Sequence, residues 1–467
     1  MIKWNYLAKQ VINVRDASIG ACGDGITDDH AAIEKALKLL RNKGGVIHFP
    51  KGTYLISKPV NWINSADSDY SNIALTGVGI ADTKLKFVQT DPRDTTDTGD
   101  PRFRYKIGIY LTGLKNRPLQ NVAIMNMALE GATYGKEVYD DVLDELIQVS
   151  ANVYNSSFTH LDLAGAHHAG IRFSSNTEET GQATLIWNCS FHHIGLPGML
   201  YSGGAALLGS YPEQTISRCR FEHIGGTMYF HAIYGGLHDK IFIDGNTFLG
   251  KHSRIHFWST PSQAVKIANN HFEDVCLNYF YEMPLAEICG NSFLNTICRV
   301  GSNGIRFIDN TFIKTQQGPL ENNVLGLISG DYGHRVVIER NQFISMQSEN
   351  GVFDCAVFIS DAYLSDPEKH LSEWKIINNS FTGICQAIRT RSGNGHQITG
   401  NLISSPGAVP DCGYGVFEIE SGQGHEVSHN SIWIKNSGMV GWRYMGKNSR
   451  FFNNMCNQAT TPSQEIF

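Results

Sequence analysis

One short phrase recurs through most of this chain: a small polar pair followed by Phe or another apolar residue. It is seen at Asn188-Cys189-Ser190-Phe191, Arg218-Cys219-Arg220-Phe221, Asn246-Thr247-Phe248, Asn270-His271-Phe272, Asn291-Ser292-Phe293 and Asn310-Thr311-Phe312. It continues at Asn341-Gln342-Phe343, Asn379-Ser380-Phe381, Asn401-Leu402-Ile403, Asn430-Ser431-Ile432 and, weakly, Asn454-Met455-Cys456, and Ser156-Ser157-Phe158 is read as its start. The spacing is irregular, roughly 20 to 38 residues, as in stacked repeats with variable loops on one face. A repeat of this size holds about three short strands and cannot bury its apolar face without a stacked neighbour. The expected architecture is all-β, a solenoid of stacked β coils. Segments such as Lys240-Ile241-Phe242-Ile243 and Arg335-Val336-Val337-Ile338 supply its strands. Asn before the Phe tolerates left-handed backbone at a bend, and its amide can bond to the next coil while the Phe rings stack inside.

Composition limits the function classes. The 467 residues carry a formal net charge of -6 and 18% charged residues, which suggests neither a nucleic-acid binder nor a disordered acidic chain. The ten Cys show no metal-ligand spacing, and Cys189, Cys219, Cys289, Cys355, Cys385 and Cys456 fall in or beside strands, so buried reduced thiols are expected. Met1 to Tyr6 lacks an apolar signal core, and no run reaches the ~18 to 20 apolar residues of a membrane span. Folding in a reducing cytosol without membrane insertion is expected, as is the absence of any cofactor or metal.

Ahead of the repeats, Ile33, Ala36, Leu37 and Leu40 form one apolar helical stripe, with Thr27 or Asp28 as N-cap and Gly44-Gly45 as the stop. The helix would cover the open end of the first coil. Residues 1–58 are therefore read as a capping region and 59–467 as the solenoid. The segment Gly23-Asp24-Gly25-x-Thr27-Asp28-Asp29-x-x-Ala32-Ile33, followed by Gly44-Gly45-Val46-x-x-Phe49-Pro50-x-Gly52-x-Tyr54, resembles the opening of the pectate-lyase-like right-handed β-helix superfamily. That superfamily includes polygalacturonases, polysaccharide lyases and phage tailspike depolymerases. The resemblance implies a right-handed parallel β-helix and carbohydrate chemistry without choosing the reaction. The Asn-Thr-Asp strand of polygalacturonases is missing, and Asp140-Asp141 lies ahead of the repeats, so no catalytic residue is carried over. The run from Asp140 to Glu145 reads as a solvated loop.

Two rows of side chains are candidates for chemistry. Eight of the 18 His lie between His160 and His238, with Arg172, Glu222, Tyr229 and Tyr234 among them. Residues flanking an inward strand residue point outward. This gives a strip of Arg172, Tyr234, His256, Tyr281 or Glu282, and Arg389, with strands ~4.8 Å apart. A second row, two residues after each Phe, stacks His160, His193 and His223 and continues through Gly250, Asp274, Asn295 and Lys314. Removing a proton beside a uronate carboxyl needs a base, an acid and a cation, and His231, Tyr234, His256 and Arg172 supply those types. Hydrolysis needs paired carboxyls instead, for which Glu282 with Glu222, Asp239 or Asp274 is one set and Asp331, Asp354 and Asp361 another. His193, His223, Tyr229, Trp258, Tyr281 and Arg389 are candidate sugar contacts.

The expected function is depolymerisation of an acidic capsular or exopolysaccharide by β-elimination. Glycoside hydrolysis with paired carboxylates and non-catalytic glycan binding are the alternatives. The resemblance further implies a homotrimer, associated with a phage tail or released.

Overall fold

The computed structural model describes residues 10–88, 106–131, 143–174, 181–195, 204–225, 230–235, 240–257, 264–275, 277–281, 283–315, 326–346, 355–360, 371–406, 416–435 and 441–457. The chain divides into two compact units, Met1–Thr247 and Phe248–Phe467. Both are right-handed parallel β-helix.

In the first unit a typical coil is built from the strands Gln182–Trp187, Ser190–Ile194 and Ala205–Leu208, and the next from Thr215–Ser217, Arg220–Ile224 and His231–Gly235. Each strand pairs in parallel with its counterpart: Ile186 with Ile216, Phe191 with Phe221, Leu207 with Ile233. All six are at most 3% exposed. The rings of Phe191 and Phe221 stack at 5.0 Å, close to the ~4.8 Å rise between strands. The helix His30–Leu40 packs Ala32, Ile33, Ala36, Leu37 and Leu40 inward and caps the unit. Its N-cap is Asp29, not Thr27 or Asp28. The Asp29 carboxylate does not cap the helix but accepts the backbone N–H groups of Cys22 and Gly23.

The second unit repeats the scheme with higher regularity. Phe248, Phe272, Phe293, Phe312, Phe343 and Phe381 form a continuous stack with centroids 4.6 to 4.9 Å apart. Beside it runs a chain of buried amides. Asn310 donates its backbone N–H and its Nδ2–H to Asn341 Oδ1, both at 2.9 Å, and Nδ2 also reaches Ile288 O at 2.8 Å. The same pattern links Asn270 through Asn291, Asn310, Asn341, Asn379, Asn401 and Asn430 to Asn454. Each amide from Asn291 to Asn430 thus ties three consecutive coils.

Three details differ from the sequence reading. The ladder Asn are not left-handed. The residue before each is: Asn269 (φ 55°), Gly290 (63°), Asp309 (54°), Arg340 (54°), Asn378 (55°), Gly400 (68°), His429 (56°) and Asn453 (54°), so the bend is one position earlier and the Asn is kept for its amide. Phe158 does not begin the Phe stack: it registers with Ile124 and Ile186, and the Phe191 column continues backwards through Leu163 and Leu129. His160 consequently leaves the row of His193 and His223. Of the predicted buried thiols, Cys189, Cys219, Cys355 and Cys385 are buried, as is Cys298, while Cys289 and Cys456 are only half-buried. Among the described residues no helix is long and apolar enough to cross a membrane.

Candidate functional site

Both units expose part of their outer third sheet, and each carries a cluster of polar side chains there. In the first unit the column is Tyr110, Gln148, Arg172, Leu208 and Tyr234. Arg172 and Tyr234 thus share the column, two rungs apart with Leu208 between. The His231 ring stacks on the Tyr234 ring at 4.7 Å, and His231 is 3% exposed. Arg172 turns toward Glu145, Nη1 to Oε1 at 2.8 Å, and His168 Nδ1 lies 3.2 Å from the same oxygen. His167 Nδ1 lies 3.3 Å from Asp144 Oδ1, while Asp144 Oδ2 accepts the Lys106 backbone N–H at 2.7 Å. Asp144 and Glu145 are therefore buried and partnered, not part of a solvated loop; Asp140 and Asp141 lie outside the described residues. Sequence distance hid this, because the partners come from neighbouring coils.

Glu222 does not join this cluster. It sits on Arg220–Ile224, in a different sheet from Tyr234, and pairs with Arg220 at 2.7 Å, which lowers its pKa. His193 (φ 52°) and His223 (φ 50°) are left-handed residues near the ends of Ser190–Ile194 and Arg220–Ile224, their rings stacked at 5.0 Å. Burial and the neighbouring His192 and His223 lower the His193 pKa. In the second unit Gly250, Asp274 and Asn295 hold the same left-handed position, and Asn295 Nδ2 donates to Asp274 Oδ1 at 3.0 Å.

The second unit's column begins with His256 and runs through Tyr279, Arg299, Ser329, Phe358, Arg389, Glu418 and Arg443. Arg389 stands in the row of His256, but the residue beside His256 is Tyr279; Tyr281 is one outward position further along the strand, facing Gly301. The His256 and Tyr279 rings stack at 4.6 Å, and Arg254 lies 5.5 Å from the Tyr279 centroid. Burial, and then Arg254, push the His256 pKa down to about 4, so the ring is neutral at pH 7. Tyr281 donates its hydroxyl to Asp331 Oδ2, and Arg299 Nε meets the same oxygen at 2.5 Å. The Asp331 side chain is 7% exposed and that of Arg299 is 32%. Burial raises the Asp331 pKa against the opposing pull of Tyr281 and Arg299. Arg299 is itself raised, because Asp331 and the tyrosines outweigh the cost of burial. Tyr229, Asp239, Trp258, Glu282, Asp354 and Asp361 lie outside the described residues.

The family described as rhamnogalacturonase A/epimerase, pectate lyase-like, matches residues 11–102. The fold is that of the pectate-lyase-like parallel β-helix superfamily. Mannuronan C5-epimerase AlgE5 of Azotobacter vinelandii is 34% identical over 85 residues, 18% of this chain and 8% of that protein. The SPbeta prophage-derived uncharacterized protein YomE of Bacillus subtilis is 41% identical over 80 residues, 17% of this chain and 12% of that protein. This chain therefore matches only a small part of either relative. Among solved structures, a variant tailspike protein of E. coli bacteriophage HK620 in complex with a pentasaccharide superposes with a TM-score of 0.52. It is 13% identical and covers 93% of this chain and 78% of its own.

Within this pectate-lyase-like helix, sequence reasoning missed Tyr279 and Arg299 and gave Asp331 only as part of a carboxylate set. Tyr279 was recoverable from period two, since it flanks Phe280 as Tyr281 does. The convergence of Tyr281 and Arg299 on Asp331 was not, because the hydroxyl and carboxylate are 50 residues apart. As chemistry, the second unit offers a hydroxyl with a built-in proton acceptor, a partly exposed guanidinium and a neutral imidazole on one face.

Proposed function

We infer that this protein acts on an acidic polysaccharide and cleaves it by β-elimination at the Tyr281, Arg299 and Asp331 cluster. The observation that carries the reading is the convergence of a partly exposed tyrosine and arginine on one oxygen of a buried carboxylate. Arg299 would neutralise the uronate carboxyl and so acidify the adjacent C–H. Asp331, raised by burial, takes the Tyr281 proton; the phenolate removes the C5 proton as the C4=C5 bond forms and the C4–O bond breaks. The re-formed phenol then protonates the departing oxygen, and Asp331 returns its proton to Tyr281, so the inventory closes. His256 is neutral and serves with Tyr279 as a sugar platform.

Hydrolysis would need a second carboxylate beside Asp331. Among the described residues the nearest carboxylates along this face are Glu418 and Glu420, three rungs or about 14 Å from Asp331, beyond the roughly 6.5 to 9.5 Å of an inverting pair. The pectate-lyase-like family match and the mannuronan C5-epimerase relatives support action on an acidic polysaccharide. The prophage origin of one relative supports a virion-associated or released protein, for which a homotrimer is expected and light scattering is the check.

The test is incubation with a panel of acidic polysaccharides. New ultraviolet absorbance from an unsaturated uronate supports elimination. Reducing ends without that absorbance mean hydrolysis, altered sugar configuration at constant length means epimerisation, and binding without change means a glycan-binding protein; each of these overturns the reading.

A further inference from the structure

A second column lies beside the one that starts at His256. Ser360 N–H donates to Gly330 O at 3.3 Å, Arg391 N–H to Ile359 O at 2.8 Å, and Glu420 N–H to Thr390 O at 2.8 Å. Asp331, Ser360, Arg391 and Glu420 are thus successive rungs, and Arg391 is two rungs, about 10 Å, from the reacting cluster. Arg389, 4% exposed, takes Glu420 Oε1 at 2.5 Å, whereas Arg391 Nε is 3.4 Å from the same oxygen and its side chain is 43% exposed. Both guanidinium carbons lie over the buried Phe358 ring, at 5.7 and 5.6 Å. Arg389 is therefore the internal strut, and Arg391 is a half-exposed guanidinium held over an aromatic ring.

The spacing has a chemical meaning. A 1,4-linked sugar chain drawn out as a two-fold ribbon shows the same face at every second unit, and one unit is close in length to one rung. An acid group two units from the reacting sugar would meet Arg391. We propose that Arg391 binds a second anionic group of the same polymer, two sugars from the bond cleaved at Tyr281. The polymer is then acidic at alternate residues or throughout, not once in a long neutral repeat. This deepens the functional reading above and rests on it for the identity of the site.

Calorimetric titration with dimeric and hexameric galacturonate, and with the mannuronate hexamer, tests it without needing turnover. Arg391→Gln should weaken the hexamer that binds by about tenfold and leave the dimer unchanged. Arg391→Lys should recover part of the loss, since a point charge replaces a planar fork. Glu420→Gln, which releases the exposed guanidinium, should tighten the hexamer. Equal hexamer affinity in wild type and Arg391→Gln, or no hexamer binding at all, overturns the proposal. Binding that depends on Arg391 without any cleavage would leave it standing and sink only the elimination reading.

Discussion

In residues 1–247 the position two before each stacked core residue is filled in turn by Met127, Leu161, Cys189, Cys219 and Asn246, whereas in residues 248–467 it is Asn at every coil from Asn270 to Asn454. The geometry is shared. Cys189 Sγ–H donates to Phe158 O at 3.4 Å and Cys219 Sγ–H to Ile186 O at 3.7 Å, the same kind of carbonyl that Asn246 Nδ2 reaches at 2.9 Å on Ile216. Burial raises the Cys189 thiol pKa, so it remains a donor. What a thiol lacks is the carbonyl half of an amide, and with it the acceptor that binds the preceding coil. One unit is held at this seam by packing and weak donors, the other by a continuous amide chain. The outer faces differ too: Asp144 and Glu145 of the first unit are buried against His167, His168 and Arg172, while in the second Tyr281 and Arg299 keep partial exposure around Asp331.

The largest contrast should come from breaking each seam. Asn310→Ala strips the acceptor from both Asn291 donors and the donor from Ile288 O, and should cost on the order of 4 kcal/mol by denaturant titration. Cys219→Ala, which removes one weak donor and little volume, should cost about 1 kcal/mol. Comparable losses at the two sites would break the distinction.

Chemistry supplies the next test. Tyr281→Phe should lower kcat about 100-fold with the fold unchanged by circular dichroism, while Tyr234→Phe, in the other unit, should stay within about threefold. The reverse pattern would move the site to the cluster of His231, Tyr234 and Arg172.

The smallest effect concerns acid. The second unit holds His256 and His396 down at about 4, in both cases mainly through burial. Unfolded histidine binds its proton near pH 6.5, so their contribution is complete above that value and is lost as pH falls toward 4. In the first unit His192 is raised, chiefly by its hydrogen bond to Asp162, so its contribution is present below the unfolded value and fades as pH rises through the raised one. His396→Gln should flatten the acid slope of the unfolding midpoint between pH 6.5 and 4, and His192→Gln should weaken only the side below neutrality.

The ladder was legible because Asn and Phe repeat with their spacing, and a repeated error is improbable. Its starting point was not, because each coil has two bends with the same local look: apolar residue, one residue, then a left-handed polar one. Ile186-Trp187-Asn188 turns the first bend and Phe191-His192-His193 the second. Ser-Ser-Phe158 fits either, and only pairing across coils places it at the first. The same limit explains Asp144 and Glu145. Their partners Lys106, His167, His168 and Arg172 lie on flanking coils, so a local acidic run looked solvated. Tyr279 and Tyr281 share parity, and only register against Arg299 separates their roles.

The amide row has an evolutionary corollary. Each Asn presents one identical plug forward and one identical socket behind, so a whole coil could be gained or lost by unequal recombination without orphaning a polar atom at the join. The length of such a column is then set by what its outer wall must grip, not by what its interior can tolerate.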